Sequence, residues 1–451
     1  MDKPDILLIV LDTLRKDTLD FNELLKMNSE VFNEFTAYEN CIATSPWTVP
    51  SHISLFTGRY PLEHGIHETK SYKLPKEFAP NKSFTEFKHE TIFEYLKKNG
   101  YSNYGISTNV NVRPGTVFER GFDIFQYYEF PPSQIDYDNY LTALSDKLGA
   151  YSRKDIIFKL LKQGQFGQVL KLYRQKRETK TLSRALGYPL EKGATQILRL
   201  LQDSSFIRPF SIFLNIMEMH EPYPTPFSIY DLYKELISDD RMKASSLKKI
   251  KKEYLQESVK VKNFLLKLFT TLKKNGMWDN TLIIVTSDHG QAFWENGFGG
   301  HGTFLFDELV RVPLIIKYPN NPVGRSIYKL CTNSDIYNLI RNIQSDVSYE
   351  MPLAEVVFSE SYGTLHDTEW FLRGIKKENT RRLSVAYDSL NIRRLAAFKD
   401  NQKICIDGEN GTILEFTKNG KFVTPERKEI MDSGILDDIL IFDQKAVVPF
   451  S

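Results

Sequence analysis

The chain has 451 residues, with 59 Lys and Arg against 57 Asp and Glu and 41% hydrophobic residues. That length holds one large domain with a subdomain, or two or three ordinary domains, around a sizeable core. A net charge of +2 selects no anionic partner, and no apolar run approaches the ~20 residues of a membrane span.

Ile6–Leu11 is continuously apolar, as in a strand buried on both faces of a parallel sheet. It is too short for a signal-peptide core, so no targeting segment is expected. Asp12 follows at its carboxyl end. That position suits a helix cap or a metal ligand at the edge where open α/β sheets hold their ligands. Thr44–Arg59 reads as a loop entering a helix. Pro50 fits a first helical turn, Ile53, Leu55 and Phe56 give it a face to bury, and Gly58 suits a left-handed end. Thr48 then stands just before the helix, beside unpaired N–H groups that bind anions and stabilise an alkoxide. Taken alone, it reads as an ordinary capping threonine.

Glu90–Asn99 is expected to be a helix ending at Gly100, and Tyr104–Thr108 a strand with Asn109 at its end. From about 133 to 198 the sheet pattern lapses into a helical insertion. Between Arg153 and Arg184 it carries Lys154, Lys159, Lys162, Lys171, Arg174, Lys176, Arg177 and Lys180 against Asp155 and Glu178. Such a run suits a solvated helical face, or a basic lid over an anionic substrate or surface.

Phe210–Met217 is another strand, leading into Glu218 and His220. Leu247, Ile250, Tyr254, Val261, Leu265, Leu268 and Leu272 recur at helical spacing and predict a long amphipathic helix. Leu282–Val285 is a buried strand ending in Thr286-Ser287-Asp288-His289-Gly290. His301 follows a glycine-rich loop. Val312–Ile316 resumes the sheet, and Pro313 within it points to an edge. After about Met351, short alternating runs and the turns Asp407-Gly408 and Asn419-Gly420 predict a small antiparallel sheet. The expected architecture is therefore α/β. A large mixed, mostly parallel sheet sandwiched by helices spans 1–350, and a small C-terminal antiparallel α+β subdomain spans 351–451. Cys41, Cys331 and Cys405 show no metal-ligand spacing and suit a reducing cytoplasm.

Several buried strands thus end in residues that can do chemistry. Asp12, Asp288 and His289 offer hard oxygen and imidazole ligands to a divalent cation, and Thr48 is the natural fourth. A cation at its oxygen makes that hydroxyl a nucleophile.

These stretches resemble the sulfatase family of the alkaline phosphatase superfamily. ILLIVLDTLRKD at Ile6–Asp17 is similar to its first metal-binding strand, and SPWTVPSHISLFTG at Ser45–Gly58 to its nucleophile signature. TSDHG at Thr286–Gly290 resembles the second metal motif, and His301-Gly302 the downstream HG. Glu308, Arg311, Val312 and Pro313 match a further run. The departures carry information too. Sulfatases have Cys or Ser, oxidised to formylglycine, where this chain has Thr48, and threonine cannot give that aldehyde. His52 replaces the signature arginine, Thr13 the second aspartate, and Ser107-Thr108-Asn109 the sulfate-gripping K-x-x-H. A threonine nucleophile is what phosphotransferase and phosphodiesterase branches use.

The resemblance implies in-line displacement at phosphorus or sulfur by Thr48, aided by a divalent cation (calcium, magnesium or manganese) and without formylglycine. His220 or His301 would protonate the leaving oxygen, and His52 would orient a non-bridging oxygen. Asn109 and Glu218 are further candidates for substrate contact. His64 and His67 read as turn or core residues. The expected substrate is a small anionic ester, a glycan or a lipid head group, with phosphate esters or diesters favoured. A sulfuric ester hydrolase using unmodified threonine, and a non-catalytic anion-binding protein on the same fold, remain as alternatives. A nucleic-acid partner is not expected.

Overall fold

A computed structural model describes residues 3–67, 87–128, 144, 148, 153–174, 192–203, 205–223, 225, 229–237, 241–364, 389–423 and 433–444. In chain order the strands are β1 (Asp5–Leu11), β2 (Phe35–Ile42), β3 (Ser102–Ser107), β4 (Ile124–Tyr127), β5 (Phe210–Ile216) and β6 (Thr281–Thr286). Then come the short β7 (Ala292–Phe293), β8 (Gly299–Gly300) and β9 (Arg311–Val312), followed by β10 (Leu314–Lys317) and β11 (Ser326–Thr332). The main sheet has the order β11-β2-β10-β6-β1-β5-β3-β4, with β9 beside β2. β10 runs antiparallel to β2 and β6. The other pairings along that path are parallel.

The apolar run of β1 is continuous because both faces are covered. Leu7, Ile9 and Leu11 enter one core with Ile250, Val261, Leu265 and Leu268 of the Ala244–Lys274 helix. Ile6, Leu8 and Val10 enter the other. There they meet Ile53 and Phe56 of the Thr48–Thr57 helix, Phe93 and Leu96 of the Ile92–Lys98 helix, and Leu339 and Ile340 of the Asp335–Ile343 helix. The two-residue alternation of a strand thus sorts side chains between two helical layers.

The edge expected at Val312–Ile316 is not found, since β10 lies inside the sheet between β2 and β6. Pro313 falls in the break between β9 and β10, so its missing N–H costs the ladder nothing. Its carbonyl accepts the Thr286 hydroxyl at 3.0 Å.

Of the expected insertion, the described residues include the Arg153–Lys162 helix, a helical stretch at 166–174 and the Ala194–Asp203 helix. The rest of that span lies outside the described residues.

The C-terminal part forms the expected antiparallel sheet. Its strands are β12 (Val356–Ser361), β13 (Arg394–Lys399), β14 (Gln402–Asp407), β15 (Ile413–Lys418) and β16 (Lys421–Phe422). Asn419 and Gly420 take φ of 52° and 70°, the left-handed pair that a two-residue hairpin turn needs. The Ile435–Gln444 helix packs Ile435, Ile439 and Phe442 against Leu395, Ala397 and Ile404.

Glu360 of β12 joins this sheet to the segment that enters the Thr48–Thr57 helix. Its backbone N–H donates to the Thr44 carbonyl at 2.9 Å. Its carboxylate accepts from the Leu62 N–H at 3.1 Å and the Tyr362 hydroxyl at 2.7 Å. Burial raises this carboxyl from the usual 4.5 to about 7. The folded chain therefore keeps a proton that the unfolded chain loses, and stability falls as pH rises from about 4.5 through 7. Denaturant unfolding should show a stability loss of about 2–3 kcal/mol over that rise, relative to Glu360→Gln, which has no such proton to lose.

Candidate active site

Parallel strands carry their carboxyl ends to one edge, and five of them deliver the candidate residues there. Asp12 follows β1, Asn109 follows β3, Glu218 and His220 follow β5, and Asp288 and His289 follow β6. β2 leads through Ala43–Trp47 to the mouth of the Thr48–Thr57 helix. Trp47 is the extended capping residue, so Thr48 is the first helical position rather than the one before it.

Ligand atoms of Asp12, Asp288 and His289 lie within 4.8 Å of one another, all buried. The Thr48 Oγ1 is 3.3 Å from His289 Nε2. Each side chain is held from behind. Asp12 Oδ2 accepts from Asn109 Nδ2 at 2.6 Å. Asp288 Oδ1 accepts from the backbone N–H groups of Thr13 and His289 at 3.2 and 2.9 Å. His289 Nδ1–H donates to the Gly290 carbonyl at 2.9 Å, which leaves the Nε2 lone pair facing Thr48. Burial also lowers the His289 pKa, so the ring is neutral.

The opposite oxygens, Asp12 Oδ1 and Asp288 Oδ2, have no hydrogen-bond partner, nor does the buried Thr13 Oγ1. Burial first, and then the Asp288 carboxylate, push the Asp12 pKa well up. Two buried carboxylates with bare oxygens are costly unless a positive charge compensates them. An oxygen-rich set with one imidazole whose other nitrogen is fixed by a carbonyl fits a hard divalent cation.

Thr13 takes φ of 59°, a left-handed conformation that costs a β-branched residue about 1–3 kcal/mol. Its N–H is spent on Asp288 and its carbonyl accepts the Tyr254 hydroxyl at 2.9 Å. The strain aims one backbone donor at a ligand carboxylate.

His52 is not placed for the expected substrate contact. It is fully buried, its Nδ1–H donates to the Thr48 carbonyl at 2.9 Å, and its Nε2 accepts from Asn215 Nδ2 at 2.7 Å. Rings of Phe56, Phe118 and Phe213 meet it edge-on. It braces the Thr48 backbone. Asn109 is likewise committed, to Asp12 and, through its Oδ1, to the Asn111 N–H at 2.7 Å. The Glu218 carboxylate Oε1 accepts the N–H groups of Lys192 and Ala194 at 2.8 and 3.0 Å, which anchors the end of the insertion.

His220 and His301 lie together, with ring centroids 5.1 Å apart, and His301 is 4.6 Å from the His289 ring. His220 Nδ1–H donates to the Glu221 carbonyl at 2.7 Å. Gln291 settles the other ring: its amide donates to Glu221 Oε2 at 3.1 Å, so its oxygen accepts from His301 Nδ1–H at 2.8 Å.

Asn215, Gln291, Glu221, Ser51 and Asn333 are the supporting residues that sequence reasoning passed over. Asn215 had a visible signal, a lone amide near the carboxyl end of the mostly apolar β5. Ser51 Oγ donates to the Asp288 carbonyl at 2.6 Å and accepts from Asn333 Nδ2 at 2.8 Å, a tie between distant segments. Glu308 and Arg311 stand elsewhere. They line a cleft of about 560 Å³ with Arg15 and Asp17. Its charges pair internally, Arg15 with Asp17 and Arg311 with Asp307.

Comparison with known proteins bears on the family and the fold. The family model described as Sulfatase matches residues 4–340. A sulfatase of Formosa agariphila is 25% identical over 365 residues, covering 72% of this chain and 66% of that protein. The chain thus spans less than two thirds of that relative's length, and as little as 12% of another curated relative. Among solved structures, the phosphonate monoester hydrolase of Agrobacterium radiobacter superposes with a TM-score of 0.62 at 14% identity, covering 99% of this chain and 96% of that one. A putative sulfatase of Bacteroides thetaiotaomicron gives 0.60 at 11% identity, covering 100% and 95%.

The bare carboxylates give a test with two signs. Manganese, magnesium or calcium should raise the melting temperature of the wild type, by an amount corresponding to about 2–3 kcal/mol at a hundredfold excess over Kd. Asp288→Asn should lose that rise. In chelator the same variant should melt above the wild type, because one uncompensated buried charge is gone.

Proposed function

The chain belongs to the sulfatase family, and from that premise we propose that it cleaves phosphate or sulfate esters through a covalent ester on Thr48, phosphate esters and diesters being favoured. The observation that carries this reading is the hydroxyl at a helix mouth beside His289, within a group whose buried carboxylate oxygens lack partners. A divalent cation bound by Asp12, Asp288 and His289 would supply the positive charge that favours an ionised Thr48 oxygen and the charge developing on the ester.

In this reading the Thr48 oxygen bonds to phosphorus or sulfur while the bond to the leaving oxygen breaks. N–H groups of the first helical turn hold the non-bridging oxygens. His220 or His301 gives a proton to the leaving oxygen. Water, or an acceptor hydroxyl, then attacks the Thr48 ester and restores the threonine. Asn109 and His52 act as positioning residues, for Asp12 and for the Thr48 backbone. Phosphorus is favoured because threonine cannot become formylglycine and fixed positive charge at the site is sparse. The Nζ of buried Lys192 is turned to the carbonyls of Glu218 and His220. Three free, buried thiols support the accompanying proposal of a reducing, cytoplasmic setting.

An aryl phosphate, an aryl phosphodiester and an aryl sulfate, each with added cations, separate the readings. Phosphorus substrates should turn over, and Thr48→Ala should lose at least ~1000-fold in kcat. Full activity in Thr48→Ala would remove the nucleophile. Turnover of sulfate alone would overturn the preference for phosphorus, and tight anion binding without turnover would favour the non-catalytic reading.

Gln291→Leu frees the His301 ring. It should lower kcat by about 10–100-fold on an alkyl ester, whose leaving oxygen needs a proton, and change little on a nitrophenyl ester. Equal losses on both esters would show that Gln291 supports the fold rather than the acid.

A further inference from the structure

The insertion between β4 and β5 has a surface that the proposed reaction does not use. Its helix Arg153–Lys162 and the helical stretch at 166–174 bury Ile156, Leu160 and Leu172 with Leu144, in a small core separate from the others. Their outer side is apolar as well. Phe158 is 65% exposed, Leu161 43%, Phe166 62%, Leu170 70% and Tyr173 55%. Phe166, Leu170 and Tyr173 follow one another at the i, i+4 and i+7 spacing of a single helical face. An apolar cluster of this kind on a surface marks something that covers it.

The charge around it says what. Lys162, Lys171 and Arg174 are exposed on the same two helical stretches. The adjoining sequence continues with Lys176, Arg177, Lys180 and Arg184 against Glu178 alone. Large apolar side chains among lysines and arginines are the pattern of a helix that lies in a bilayer interface. Nucleic acid fits less well. Single strands stack on aromatic rings, whereas Leu161 and Leu170 sit among the rings here and offer a base nothing.

We propose that this face docks on an anionic phospholipid bilayer, apolar side chains among the acyl chains and basic ones against the head groups. The docking is peripheral: no helix among the described residues is long and apolar enough to cross a membrane. The insertion returns to the candidate site. Lys192 reaches the Glu218 and His220 carbonyls, and Gly193 lies so close to Thr108 that a Cβ there would collide with its side chain. A bilayer held by the insertion is therefore tethered to the sheet edge that carries Asp12 and Thr48.

Sedimentation of the full chain with vesicles tests this. Vesicles of phosphatidylcholine with phosphatidylglycerol should bind it at low salt. Binding should fall at least ~10-fold on phosphatidylcholine alone or at high salt. The triple variant Phe166→Ser, Leu170→Ser, Tyr173→Ser changes only exposed side chains. It should keep its melting temperature and its turnover of a soluble aryl ester while losing at least ~10-fold in vesicle binding. The proposal is overturned if anionic vesicles bind no better than neutral ones, or if the triple variant binds equally well. It is also overturned if single-stranded nucleic acid displaces the vesicles as the preferred ligand, or if the wild type self-associates through this face and the variant does not.

Discussion

Two carboxylates, Asp12 and Asp288, are buried with one oxygen each left bare. Most of the arrangement at the carboxyl edge of the sheet serves that pairing. Asn109 takes the far oxygen of Asp12, and Thr13 and His289 give their N–H groups to the far oxygen of Asp288. Satisfying one oxygen of each carboxylate and withholding partners from the other produces a directed negative field. Water would quench that field at an exposed site. The price is a strained backbone at Thr13 and a carboxyl at Asp12 whose ionisation is opposed by its surroundings.

The Thr48 side is built on the same principle of commitment behind and availability in front. His52 and Asn215 form a buried chain that grips the Thr48 carbonyl. Ser51 and Asn333 tie the same helix to the Asp288 backbone. A shift of this helix along its axis would break three polar contacts to other segments in an interior where an unpaired group costs about 1–3 kcal/mol. The position of Thr48 is therefore over-determined by groups that touch no ligand. His52, where the family signature has an arginine, is the clearest case. Its imidazole is spent on protein partners.

Around this rigid edge the peripheral parts are tied in differently. The C-terminal sheet is joined through Glu360, a buried carboxyl that lies against the segment entering the Thr48–Thr57 helix and stays protonated to about neutrality. Among the described residues, the insertion is joined at Lys192 and Gly193 and through Ala194 and Ile197, which enter the main core, while its earlier helical stretches bury a small core of their own.

The main sheet was legible in the sequence because burial on both faces leaves unbroken apolar runs, as at Ile6–Leu11 and Leu282–Val285. The polar residues ending those runs were legible for the same reason, and so was the hairpin turn at Asn419-Gly420. Pairing was not. β10 lies inside the sheet although Pro313 pointed to an edge, because a break in the strand absorbs the proline and no local pattern records that. Nor did the sequence tell a residue that faces a ligand from one that holds such a residue. His52 and Asn109 are the residue types a substrate would want, and only their partners, 163 and 97 positions away in the chain, turn them inward. Residue type and local period determine which chemistry is present. Which way each side chain points is decided by contacts between segments far apart in sequence, and those exist only once the chain has folded.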